Sequence, residues 1–97
     1  MSPPHALPLY PPDFVAMFER FPRDEVHADA VLDVVLYSRG HCWSAQARLV
    51  YQSEQAGAVA EVWLRQRDSA LALFREHADF QVWRRGEKFS GRVLSIS

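Results

Sequence analysis

At 97 residues the chain has room for one hydrophobic core and not for two. A hydrophobic content of 48% with a net charge of −1 argues against a disordered polymer, and it leaves no global field to recruit nucleic acid, DNA included, or an acidic membrane, so any such contact needs a local patch. The single cysteine, Cys42, excludes an intrachain disulfide and a multi-cysteine metal cage.

The chain opens on Met1-Ser2-Pro3-Pro4-His5, which lacks the basic and then apolar pattern of a secretory signal, and no apolar run reaches the ~20 residues of a membrane span. The expected location is the cytoplasm. Residues 1–12 hold Pro3, Pro4, Pro8, Pro11 and Pro12; proline fixes φ and biases its predecessor toward extended geometry, so this stretch reads as an extended arm before a single domain over 13–97. Pro11, Pro12 and Asp13 suit a helix N-terminus, Phe14, Met17, Phe18 and Phe21 fall at helical spacing, and Pro22 ends the run. The spacing predicts a short N-terminal helix with an aromatic face.

From Glu25 to Tyr37, Val26, Ala28, Ala30, Leu32, Val34 and Leu36 alternate with a second set containing His27, Asp29 and Asp33, which predicts a strand with one face buried. The second face turns apolar at Val31 and Val35, as in a strand that enters a closed barrel. Ser38-Arg39-Gly40 supplies a turn. Trp43, Ala45, Ala47, Leu49 and Tyr51 alternate with Cys42, Ser44, Gln46, Arg48 and Val50 as a second strand. After a polar loop over 52–57, Ala58, Ala60, Val62 and Leu64 alternate with Val59, Glu61, Trp63 and Arg65 as a third. Residues 68–78 place Ala70, Leu71, Leu73, Phe74 and His77 on a helical face, with Asp68 positioned to cap it. Phe80–Trp83 and Phe89–Leu94 flank Arg84-Arg85-Gly86-Glu87-Lys88 as a hairpin with Gly86 at its tip.

The stretch from Phe80 to Leu94 resembles the last hairpin of the C-terminal β-barrel domain of elongation factor Tu, and Glu25–Tyr37 with its glycine-containing turn is similar to that barrel's opening strand. The family has two adjacent glycines at the hairpin where this chain has Arg85-Gly86, and the N-terminal helix has no counterpart there. The resemblance implies a binding role, translation-related in that family, because that barrel contacts transfer RNA and other proteins while the GTP chemistry belongs to a separate domain. No phosphate-binding Gly-x-x-x-x-Gly-Lys-Ser/Thr loop occurs in this chain.

Arg84, Arg85, Lys88 and Arg92, with Trp83 and Phe89 beside them and Arg65 on the neighbouring segment, form the leading binding candidate, since guanidinium forks grip phosphate or carboxylate and aromatics stack. The same pattern also suits a charged hairpin that resists edge-to-edge aggregation. His27, Asp29 and Cys42 form an alternative pocket at the barrel mouth, for a small ligand or a minor enzymatic activity. His41 and Cys42 are adjacent in a strand and so point to opposite faces, which argues against a thiol–imidazole pair. Glu25, His27, Asp29 and Asp33 share a strand face, and a solvated outer face accounts for them without a metal. Trp43 and Trp63 read as core or barrel-end residues, and Trp83 does so as an alternative to its binding role.

The expected fold is mainly β: a small, mostly antiparallel barrel of five or six strands with an N-terminal helix and one short helix before the last hairpin. The alternative is an α+β open sheet packed on two helices. The expected function is a non-catalytic binding or regulatory module for a protein or RNA partner, with no cofactor. The aromatic face Phe14–Phe21, or an open strand edge, offers a homodimer contact as a further alternative.

Overall fold

The computed structural model describes residues 10–21, 31–53 and 57–96. Among them are β1 (Phe14–Phe18), β2 (Val31–Ser38), β3 (His41–Ser53), β4 (Gly57–Leu64), α1 (Arg67–Glu76), β5 (Asp79–Arg84) and β6 (Glu87–Ile96). The strands close an antiparallel barrel in the order β1-β4-β3-β2-β5-β6. Closure excludes the open-sheet alternative.

The expected N-terminal helix is a strand. Phe14, Ala16 and Phe18 point into the barrel while Val15 and Met17 lie half-buried outside. That is period two, masked in the sequence because the outward residues are apolar as well. Tertiary pairing decides the conformation: β1 sits between β4 and β6, with Phe14 opposite Val62 and Ile96, and Phe18 opposite Ala58 and Gly91. A helix there would leave both neighbours with unpaired edges.

The other strands follow the alternation. Val31–Tyr37 falls in β2, and Glu25–Ala30 lies outside the described residues, as do residues 1–9 of the arm. The two hairpin turns, Arg39-Gly40 and Arg85-Gly86, carry positive φ at both positions (53° and 84°; 47° and 81°). Two such residues in succession match the twist of the flanking strands. Helix α1 starts one residue earlier than expected; Gln66 holds the cap position without a side-chain hydrogen bond, and Asp68 lies in the first turn.

Inside, large and small side chains are divided between walls. Ala45 and Ala47 of β3, Ala58 and Ala60 of β4, and Ala16 of β1 leave room for Phe14, Phe18, Phe80 and Phe89. A barrel this narrow is filled by such complementarity. Helix α1 closes one end: Phe74 lies 5.4 Å by ring centroid from each of Phe14, Trp43 and Phe80. Phe80 in turn packs on Gly91, its cross-strand neighbour, where a Cβ would stand 2.3 Å from the ring.

Asp13, expected at a helix start, is a buried carboxylate beside the barrel wall. Its Oδ2 accepts from the Leu64 N–H at 2.7 Å, and Oδ1 accepts from Arg67 Nε. It thereby joins the end of β4 to the start of α1. Just before it, the Tyr10 carbonyl accepts from Trp63 Nε1 at 2.9 Å.

Candidate functional site

The ladder register brings one outward-facing residue from each of five consecutive segments into a row. Arg65, just past β4, donates its N–H to the Ser44 carbonyl of β3; Ser44 lies opposite Val35 of β2, Val35 opposite Trp83 of β5, and Trp83 opposite Lys88 of β6. Strand β5 pairs with β2 only over Val35–Tyr37, although β2 runs back to Val31. The wall therefore opens toward the Arg84–Arg85 end of the hairpin, leaving an outer groove of about 510 Å³ lined by Asp33, Val35, Ser44, Arg65, Arg84 and Arg85, among others.

The hairpin candidates are thus partly assembled. Arg65, Arg84, Arg85 and Trp83 share the groove, and a smaller cleft of about 240 Å³ adds Lys88 around the same turn. Arg92 is elsewhere. It lies opposite Asp79 and Met17, four residues along β6 from Lys88, or about 13 Å at the rise of a strand. Phe89 points inward and is buried.

Trp83 is half-buried and occupied on its faces. The Tyr37 ring stacks on it with centroids 5.0 Å apart and planes 13° from parallel, and Lys88 Nζ sits 4.9 Å from its centroid. Its indole N–H donates to Gln81 Oε1 at 3.1 Å. Trp43 and Trp63 are buried, as the sequence suggested.

Four of the described arginines are ion-paired. Arg20 pairs with Glu87, Arg39 with Asp79, Arg48 with Glu61 and Arg67 with Asp13. Arg65, Arg85 and Lys88 around the hairpin, and Arg75 and Arg92 away from it, are exposed and have no acidic partner among the described residues. Arg85 also holds φ at 47°, a region that costs an L-residue other than Gly, Asn or Asp about 1–2 kcal/mol.

Of the alternative pocket, His27 and Asp29 lie outside the described residues. Cys42 is exposed on the outer face opposite Tyr37, and lines a groove of about 500 Å³ with Ser69, Leu73 and Glu76 of α1. His41 stacks on Trp43 at 5.7 Å and borders the same groove as Cys42, although the two alternate along β3. Among the described residues no group of three His, Cys, Asp or Glu side chains could hold a metal ion. No helix among them is long and apolar enough to cross a membrane.

The homodimer alternative through Phe14–Phe21 is corrected: Phe14, Phe18 and Phe21 are at most 1% exposed and belong to the core. Sequence reasoning missed Ser44, Val35, Tyr37 and Asp33 as neighbours of the basic hairpin, because only the register of four strands places them there. No protein-family model matches the sequence, and neither a curated protein nor a solved structure matches it.

Proposed function

We propose that this domain is a non-catalytic binding module that takes an anionic chain, from a protein or an RNA partner, in the groove between Arg65 and the Arg84–Arg85 turn. The observation that carries it is the convergence of cations at the turn. Arg65, Arg84 and Arg85 line one outer groove, and Lys88 lines the smaller cleft at the same turn. Arg65, Arg85 and Lys88 are exposed without an acidic partner among the described residues. The resemblance of Phe80–Leu94 to the closing hairpin of the elongation factor Tu barrel supports the same role, and a translation-related partner falls within it.

Contacts of this exposed kind contribute about 0.2–1 kcal/mol each and are screened by salt, so a transient and strongly salt-dependent interaction is expected. Fluorescence anisotropy with a labelled acidic peptide and a labelled single-stranded RNA tests it. At low salt at least one probe binds, weakens as salt is raised, and loses about tenfold or more in affinity in the Arg65→Glu/Arg85→Glu/Lys88→Glu variant. Binding of neither probe at low salt, or binding indifferent to the triple reversal, refutes the proposal.

A further inference from the structure

We infer that Trp83 is a positioning residue for this site. Braced by Tyr37 and Gln81, its indole holds the Lys88 ammonium at the turn, where an anionic group of the partner meets it. This rests on the turn being the partner site. The ladder register puts the four side chains side by side on the outer face, with Gln81 of β5 opposite Tyr37 of β2 and Trp83 opposite Lys88 of β6. Three contacts fix the indole. Tyr37 stacks on it at 5.0 Å with planes 13° from parallel, its N–H donates to Gln81 Oε1 at 3.1 Å, and Lys88 Nζ lies 4.9 Å from its centroid. An ammonium within ~6 Å of an indole face is attracted by the ring quadrupole, so a braced ring gives the lysine a preferred direction.

That sets Lys88 apart from the exposed arginines beside it. The side chains of Arg65 and Arg85 make no ion pair or ring contact among the described residues, so each has to be ordered when a partner binds, at a cost in affinity. Lys88 is ordered beforehand. Trp83 borders both the outer groove of Arg65, Arg84 and Arg85 and the smaller cleft of Lys88, so a cation held on it faces the same occupant as the arginines. The nearest carboxylate in sequence does not compete: Glu87 lies opposite Arg84 and pairs with Arg20 at 3.4 Å. With one side of the ammonium on the ring, its remaining N–H donors are available to a carboxylate or phosphate oxygen.

A double-mutant cycle on the full chain tests this, with the labelled acidic peptide and the labelled single-stranded RNA at low salt. Trp83→Leu removes no charge, yet it is expected to weaken whichever probe binds by about fivefold, and Lys88→Gln by a similar factor. Because both act through one contact, the double variant is expected to lose about fivefold again rather than the product of the two, which a merely structural role for the ring would give. Trp83→Phe keeps a ring face under the ammonium and is expected to stay within about twofold of the parent. Lys88 is the only lysine in the sequence, so its ε-methylene signal is unambiguous. In the ligand-free parent that signal is expected upfield of its random-coil position through the ring current of Trp83, and this spectrum decides the case should Trp83→Leu fail to fold. A random-coil position in the parent, multiplicative losses, or Trp83→Phe as weak as Trp83→Leu overturns the positioning role and leaves the binding module standing. Silence from both probes overturns both.

Discussion

Gly91→Ala tests the packing that closes the barrel. A methyl at this position meets Phe80 at 2.3, 2.6 and 3.0 Å, well inside contact distance. The ring has no easy retreat, because Phe14, Phe18 and Phe74 surround it with centroids 6.0, 6.0 and 5.4 Å away. Overpacking in a close-fitted core costs about 1–3 kcal/mol, and the confinement here puts the expected loss at about 2–3 kcal/mol. For a domain of this size that lowers Tm by roughly 10–20 °C. Phe80→Leu alone, which leaves a small void, is expected to cost about 1–2 kcal/mol. Combined, the new methyl occupies part of the space the ring vacates, so the double variant is more stable than additivity predicts by about 1 kcal/mol or more. Urea unfolding of the four proteins, followed by tryptophan fluorescence, gives the coupling. An additive double variant, or a single Gly91→Ala as stable as the parent, refutes this account of how Phe80 is seated.

Other consequences are as specific. Asp13→Ala leaves the buried Leu64 N–H without its acceptor, while Arg67, with its side chain 56% exposed, returns to water; the expected loss in chemical denaturation is about 1–3 kcal/mol, and a neutral result would refute the role assigned to this carboxylate. Arg85→Asn relieves the left-handed backbone and is expected to raise stability by about 0.5–1 kcal/mol while weakening binding of the acidic peptide; a drop in stability would show that the arginine side chain supports the fold. The exposed Cys42 thiol should label fully with a maleimide in the native protein without shifting Tm, and a requirement for denaturant would contradict its placement on the outer wall.

Strands β2, β3 and β4 were legible because polar side chains mark their outer faces: Asp33 on β2, Ser44 and Gln46 on β3, Glu61 on β4. The final hairpin was legible from Arg85-Gly86 between two apolar runs, and α1 from Ala70, Leu71 and Phe74. Strand β1 was not. Val15 and Met17 are apolar outward residues, and over five positions Phe14, Met17 and Phe18 satisfy a helical pattern as well as a strand pattern. Only the need of β4 and β6 for a common partner distinguishes the two, and that is a property of the closed barrel. The basic hairpin could be read locally, yet the groove could not. Arg65 and Trp83 are brought near each other by two intervening strands, and Arg92, close to Lys88 in sequence, is carried away along β6.

The central claim, that the Arg65–Arg85 groove is where this domain meets its partner, is tested most directly by a ¹H–¹⁵N titration with the acidic peptide. Perturbed amides are expected to cluster at Val35, Ser44, Arg65, Arg84 and Arg85, with the Trp83 indole N–H moving among them. Shifts confined to the opposite wall, around Val15 and Met17 of β1, or no shifts at saturating peptide, would contradict it.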